Sequence, residues 1–181
     1  MMVKVVTRSG TEISLQEWQQ MYGLEVGGNQ IGRHFSYVTD PKLAQDLRDY
    51  GILVVNELLI RVLDAFREAL GTSVIINSFN RSPEKQEKLT KAGYRTAQQS
   101  PHVVFMAADI NTSNADETKA WVKILQSVAR NLGIKIRIGY EDYLKAGQHF
   151  IHVDVCPEFY AKGKPFYSQT HPVAWELAIT W

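Results

Sequence analysis

The sequence predicts an α+β domain in which helices pack against a small, mainly antiparallel sheet. Residues 105–110 carry no helix cap and few good helix formers, and residues 151–155 alternate in the period of a half-buried strand. Residues 55–70 instead place apolar side chains three and four positions apart, which indicates a core helix. A length of 181 residues with 45% hydrophobic residues suits one compact domain.

Most of the predicted helices begin at a polar capping residue and end near a glycine. In chain order they run from the capping box Ser14-x-x-Glu17 to Gly23, from Asp40-Pro41 to Gly51, from Val55 to Gly71, from Ser82-Pro83 through Lys91 to near Gly93, and from residues 114–117 to Gly133. The predicted strands cover residues 3–6 (as an edge strand), 73–80, 105–110, 135–140 and 151–155.

The chain divides into three predicted parts. Residues 1–33 form an N-terminal appendage, residues 34–165 form the main domain, and residues 166–181 form a tail that packs on the domain. The end of the chain is rich in aromatic residues: Phe159, Tyr160, Phe166, Tyr167, Trp175 and Trp181. Such residues can line a groove, although they more often pack a tail onto its domain.

Charge and cysteine content exclude several classes of function. The net charge is +1, from 20 basic and 19 acidic residues spread along the chain. The chain has no block of basic residues, so we expect neither a nucleic acid nor a membrane as its partner. We also expect the protein to be a monomer. Cys156 is a single cysteine, so it makes no internal disulfide. The N-terminus has no signal-peptide core, so we expect a protein that is cytoplasmic when made.

Two histidines and one aspartate are candidate metal ligands. His102 and Asp109 lie seven positions apart across a loop that runs into a predicted strand, and His152 lies on a second strand. Two imidazoles and a carboxylate, with a fourth position left to water, are a usual ligand set for catalytic zinc. A spacing of seven is also common by chance, and the alternative is a hydrogen-bonded loop histidine.

Arg81 lies between the end of a predicted strand and the start of a predicted helix. A planar guanidinium in this place is well suited to hold a carboxylate through two hydrogen bonds. The alternative is a surface arginine paired with a nearby acid.

Several short motifs together resemble one known family. They are Ser78-Phe-Asn-Arg81-Ser82, Ser100-x-His102 with Ala107-x-Asp109, Gly139-Tyr140, and Phe150-Ile-His152-Val-Asp154. The set resembles the zinc D-alanyl-D-alanine carboxypeptidase family. This family includes phage endolysin L-alanoyl-D-glutamate peptidases and bacterial cell-wall carboxypeptidases, and it shares a fold with the Hedgehog signalling domain. The resemblance covers about residues 34–165.

The resemblance implies a ligand set and a substrate site. His102, Asp109 and His152 would bind zinc, Arg81 would hold a substrate carboxylate or carbonyl, and Ser100 would lie beside the metal. It also implies a Hedgehog/DD-peptidase-like fold, with the sheet carrying the metal site. The implied substrate is a peptidoglycan stem peptide, cut by carboxypeptidase or endopeptidase action. A protein without a signal peptide would reach the wall through phage lysis, virion delivery or another export route.

The sequence departs from the family pattern at two positions. Phe105 stands where the family usually has a glycine, three positions after the first histidine. His149 stands where the family has the acidic general base, three positions before the second histidine. A neutral imidazole can accept a proton near neutral pH, so His149 is the candidate base.

The histidine in place of an acid leaves other interpretations open. His149 could be a fourth ligand, Glu141 or Asp142 could replace the missing acid, and Asp154 fits a supporting role behind His152. We expect a zinc peptidase. The alternative is a non-catalytic relative that serves as a cell-wall-binding or phage structural module.

Overall fold

The computed structural model of the protein describes residues 2–92 and 100–160. The strands in this part are β1 (Met2–Val6), β2 (Glu12–Ser14), β3 (Ile52–Asn56), β4 (Ile76–Ser78), β5 (Ala107–Asn111), β6 (Arg137–Gly139) and β7 (Phe150–Asp154). The helices are α1 (Leu15–Tyr22), α2 (Pro41–Tyr50), α3 (Glu57–Leu70), α4 (Pro83–Lys91), α5 (Ala115–Leu132), α6 (Glu141–Lys145) and α7 (Cys156–Phe159). The predicted aromatic tail (166–181), the last residues of the predicted domain (161–165) and Gly93 lie outside the described residues.

The fold is α+β, as predicted, and the described residues form two small sheets. The first sheet has the order β2-β1-β3, in which β1 pairs antiparallel with β2 and parallel with β3. The prediction of β1 as an edge strand is wrong, because β3 covers its second side. Strand β3 was not predicted from the sequence, because Val55 continues the apolar pattern of α3, whereas α3 begins only after Asn56.

The second sheet has the order β4-β5-β7-β6 and is antiparallel throughout. Asp109 of β5 lies directly opposite His152 of β7. Alternation along β7 places Ile151 and Val153 in the hydrophobic core, so Phe150, His152 and Asp154 lie on the other face. This second face carries the polar site.

The predicted capping residues are confirmed where the structure describes them. Ser14 and Glu17 form the reciprocal capping box of α1, and the side chains of Asp40, Ser82 and Asn114 accept hydrogen bonds from the first turns of α2, α4 and α5. The two longest helices, α3 and α5, pack against each other. Phe66 and Trp121 meet there edge to face, with ring centroids 5.6 Å apart.

The N-terminal segment is joined to α3 by buried polar contacts. Trp18 is fully buried, and its indole N–H donates to the carbonyl of Ile31 at 2.8 Å. The carboxylate of Asp64 accepts hydrogen bonds from the Tyr22 hydroxyl and from the backbone N–H groups of Arg33 and His34. Residues on both sides of the predicted boundary at residue 33 therefore share one core, and the boundary itself stays a prediction.

Among the described residues, none of the helices combines the length and apolar character needed to cross a lipid bilayer.

Candidate metal centre

Three buried side chains converge on the polar face of the second sheet. His102, Asp109 and His152 each offer one possible ligand atom, and these atoms all lie within 4.8 Å of one another. The three residues are only 2%, 8% and 4% exposed. Buried acidic and basic groups are costly unless they are paired or bind an ion, so this group can hold a metal ion.

The loop before β5 orients His102. Its Nδ1 lies 2.7 Å from the carbonyl oxygen of Phe79. A carbonyl only accepts hydrogen bonds, so Nδ1 must carry the proton of this bond. In the neutral ring, Nε2 then has a free lone pair, which faces Oδ1 of Asp109 at 3.2 Å. Two acceptors this close favour a cation or a proton between them.

A buried ion pair supports His152 from behind. The Nδ1 of His152 faces Oδ1 of Asp109 at 2.9 Å, and its Nε2 lies 3.1 Å from Oδ2 of Asp154. Arg137 donates from Nε to both oxygens of Asp154 at 3.0 Å, and its Nη2 lies 2.9 Å from Oδ2. Because Asp154 holds Nε2, the ring presents Nδ1 to Asp109 and to any metal there.

The histidines and carboxylates shift one another's pKa values. Burial alone would raise the pKa of Asp109, but His102 and His152 outweigh it and hold the pKa well below its usual range. Burial lowers the pKa of His152, but its bonds to Asp109 and Asp154 raise the pKa to about 9. In the metal-free protein, the positive charge of protonated His152 therefore offsets part of the negative charge of Asp109 and Asp154. A divalent cation would take the place of this proton.

Arg81 lies at the edge of the ligand group. Its guanidinium donates to Oε1 of Gln86 at 2.8 Å and to Oγ of Ser78 at 3.1 Å, and Nη2 lies 3.8 Å from Oδ2 of Asp109. Its backbone N–H donates to the carbonyl of His102 at 3.2 Å. The side chain is 13% exposed. The guanidinium is therefore held in place beside the metal group with a small part of its surface open.

Ser100 lies beside the first histidine and is 4% exposed. Its hydroxyl oxygen accepts a hydrogen bond from the backbone N–H of His102 at 3.4 Å, and its carbonyl accepts from Val103 at 3.0 Å. Both contacts hold the loop that carries His102.

Phe105 has a left-handed backbone, with φ of 62°. The loop turns there, because the N–H of Met106 donates back to the carbonyl of Pro101 at 3.0 Å. The sequence predicted that this strand begins at Phe105, but in the structure it begins at Ala107. A left-handed conformation favours glycine and is unusual for a bulky residue, so Phe105 is strained.

The three candidate bases lie outside the ligand group. His149 is exposed, and its carbonyl accepts a hydrogen bond from Thr112 at 3.0 Å, so strand pairing extends to this residue. Regular alternation would direct its side chain away from the face of Phe150 and His152. Asp142 forms an ion pair with Lys145 at 3.2 Å, and Glu141 belongs to the same first turn of α6.

Two residues of this region, Arg137 and Tyr143, were not predicted from the sequence. Arg137 lies opposite Asp154 in the β6–β7 register, and the alternation of Ile136 and Ile138 around it could have placed it on the polar face. Tyr143 follows the predicted strand in the segment that leads to β7, and burial and the charge of Asp109 raise the pKa of its phenol. No sequence signal pointed to Tyr143.

Comparison with solved structures shows a distant likeness. The chain is similar to the crystal structure of the L-Ala D-Glu endopeptidase ChiX from Serratia marcescens, with 20% identity and a TM-score of 0.47, over 64% of this chain and 87% of that one. No protein-family model matches the chain, and no curated protein matches it.

Proposed function

We propose that this protein is a zinc-dependent peptidase that cleaves peptidoglycan stem peptides, with residues 34–165 as its peptidase domain. The observation that carries the proposal is the buried group of His102, Asp109 and His152, whose donor atoms suit zinc. The sequence resemblance to the zinc D-alanyl-D-alanine carboxypeptidase family supports the peptidoglycan substrate.

Each residue of the site has a proposed task. Nε2 of His102, Nδ1 of His152 and Asp109 would hold the ion, and Asp154 with Arg137 would fix the ring of His152. Zinc bound there supplies a Lewis acid for the scissile carbonyl and for the attacking water. Three nitrogen and oxygen donors leave a fourth position open, which is the arrangement of catalytic sites.

The residues around the proposed zinc site would bind the substrate and transfer protons. Arg81 would position a substrate carboxylate or carbonyl, and the loop of Ser100 would form the wall beside it. His149 is the proposed proton acceptor, which requires its exposed side chain to turn towards the substrate.

A second candidate function follows from the position of His149. Its exposure and its place outside the ligand group favour a relative that binds zinc and the wall peptide without turnover. Such a protein would serve as a cell-wall-binding or phage structural module.

Metal analysis joined to a peptide-cleavage assay tests the proposal. Wild type should bind one zinc and release new amino termini or D-alanine from purified peptidoglycan fragments. The double variant His102→Ala, His152→Ala should lose both properties, whereas His34→Ala, which changes a histidine outside the group, should keep them.

Arg81→Lys keeps the charge but loses the planar fork, so kcat/KM should fall by roughly tenfold or more.

Each outcome of this experiment has a distinct meaning. Equal zinc content in wild type and the double variant would remove these residues as ligands. Zinc-loaded wild type that cleaves no stem peptide would favour the binding module. An unchanged rate for Arg81→Lys would remove only the proposed role of Arg81.

A further inference from the structure

Tyr143 belongs to α6, the short helix that precedes β7, and its ring contacts β7 on the face of the sheet that carries the ligands. The ring packs on Phe150, with centroids 4.0 Å apart and planes inclined at 33°. Phe150 lies two positions before His152 and on the same face of β7. The aromatic pair is therefore a direct neighbour of the proposed metal centre.

The hydroxyl of Tyr143 has no hydrogen-bond partner among residues 2–92 and 100–160, although the side chain is half-buried. Buried tyrosine hydroxyls usually find a partner, as Tyr22 does by donating to Asp64 at 2.9 Å. The oxygen of this hydroxyl is not among the fully buried polar atoms that lack a partner in the described residues, so water reaches it and a ligand can take the place of that water. The hydroxyl of Tyr143 is therefore available to a bound molecule.

The charges of the metal group act on this phenol. Burial is the first cause that raises the pKa of Tyr143, the negative charge of Asp109 adds to it, and Arg81 opposes it. The phenol therefore keeps its proton at neutral pH and can donate a hydrogen bond to a negative or partly negative oxygen. The packing of the Tyr143 ring on Phe150 places this residue on the face of the sheet that carries Asp109 and His152.

We propose that Tyr143 is a catalytic residue whose hydroxyl donates a hydrogen bond to the oxygen of the scissile carbonyl. This inference rests on the proposed peptidase function. The carbonyl oxygen gains negative charge as water adds to the carbon, and the hydrogen bond strengthens as that charge develops. The phenol keeps its proton throughout, so the attacking water's proton still passes to a separate base.

Tyr143→Phe removes only the hydroxyl and keeps the ring on Phe150. Tyr140→Phe is the matched control, because Tyr140 is a half-buried tyrosine three positions earlier whose phenol interacts with Glu141. Loss of one donor to a developing oxyanion costs roughly 10²–10³-fold in kcat, so we expect this loss for Tyr143→Phe with little change in KM. Tyr140→Phe should retain the wild-type rate.

A second measurement uses binding rather than turnover. Calorimetry with phosphinate analogues of L-alanyl-D-glutamate and D-alanyl-D-alanine, which carry a tetrahedral oxyanion, should show at least roughly tenfold weaker binding to zinc-loaded Tyr143→Phe. The zinc content and the melting temperature of the variant should equal those of wild type.

The outcomes separate this inference from the proposed function. Wild-type kcat and phosphinate affinity in Tyr143→Phe would overturn the role of Tyr143 alone. A loss of zinc or of melting temperature in this variant would show a structural residue and would also overturn it. A zinc-loaded wild type that neither cleaves stem peptides nor binds either phosphinate would overturn the peptidase function, and the role of Tyr143 with it.

Discussion

Two buried carboxylates of this protein, Asp64 and Asp109, are held in opposite ways. Asp64 accepts hydrogen bonds from two backbone N–H groups and from the Tyr22 hydroxyl, all of which are uncharged. Asp109 faces the ring nitrogens of two imidazoles, 3.2 Å from Nε2 of His102 and 2.9 Å from Nδ1 of His152. Burial raises the pKa of Asp64, whereas the histidines hold the pKa of Asp109 well below its usual range.

The difference separates a structural carboxylate, Asp64, from a proposed metal ligand, Asp109. The neutral donors of Asp64 use up its oxygens and fasten the N-terminal segment to α3, so no cation is needed there. The neighbours of Asp109 are imidazole nitrogens, which can bind a metal ion in place of a proton. Burial of a carboxylate alone therefore does not mark a site. The kind of partner does, because N–H and O–H donors surround Asp64, whereas imidazole nitrogens that can bind a metal surround Asp109.

The largest expected effect contrasts Asp109→Asn with Asp64→Asn. Asp109→Asn removes a proposed ligand and its charge, so we expect zinc affinity to fall by more than roughly 100-fold. Asp64→Asn leaves the zinc group intact but turns an amide N–H₂ towards donors, which should cost about 1–3 kcal/mol of unfolding free energy. Calorimetric zinc titration and urea unfolding of both variants measure this. Equal zinc affinity in the two would end the distinction between them.

The backbone near each carboxylate gives the second contrast. A Cβ on Gly32 would lie 2.9 Å from both oxygens of Asp64, so Gly32→Ala should cost about 1–3 kcal/mol of unfolding free energy.

Phe105, by contrast, has the left-handed backbone that glycine adopts freely. Phe105→Gly and Phe105→Ala both delete the ring, but only glycine relieves the strain. We expect Phe105→Gly to be the more stable of the two by about 1 kcal/mol in urea unfolding. The ordinary order, with alanine more stable, would contradict the strain.

The smallest expected effect is in pH dependence, where the two carboxylates have opposite signs. Folding raises the pKa of Asp64, so its contribution is fully present below the unfolded pKa of about 3.8 and is lost as the pH rises through the folded value. Folding lowers the pKa of Asp109, so its contribution is present above about 3.8 and is lost as the pH falls further.

Urea unfolding of the metal-free protein at pH 7 and pH 3 tests these signs. On acidification the stability gap between wild type and Asp64→Asn should widen, whereas the gap between wild type and Asp109→Asn should narrow. One unit of pKa corresponds to about 1.4 kcal/mol, which sets the size of each change. Two gaps that move in the same direction would show that the neighbours of these carboxylates do not control their ionisation.

The sequence predicted those parts of the structure that local signals specify. Capping residues such as Ser14 and Asp40 placed the helices, because their hydrogen bonds form within one turn. The three possible ligands were also named correctly as a group that meets in space. Their role as zinc ligands stays a proposal.

The remainder depends on distant partners. Nothing local distinguished β3 from the start of α3, since β3 exists only by pairing with β1. Arg137 and Tyr143 join the site through strand register and through packing on Phe150. The left-handed backbone of Phe105 is a turn that the usual glycine signal would have announced, and the phenylalanine concealed it.

The separation of the ligands along the chain bears on how the protein would acquire its metal. Asp109 and His152 are 43 residues apart and meet only when β5 pairs with β7. An unfolded chain offers a local pair of ligands at best, so it would compete poorly for the ion. Closing so long a loop is an early entropic cost that only later contacts repay. Metal capture would then come late in folding, and nearly all of its binding free energy would appear as added resistance of the second sheet to unfolding.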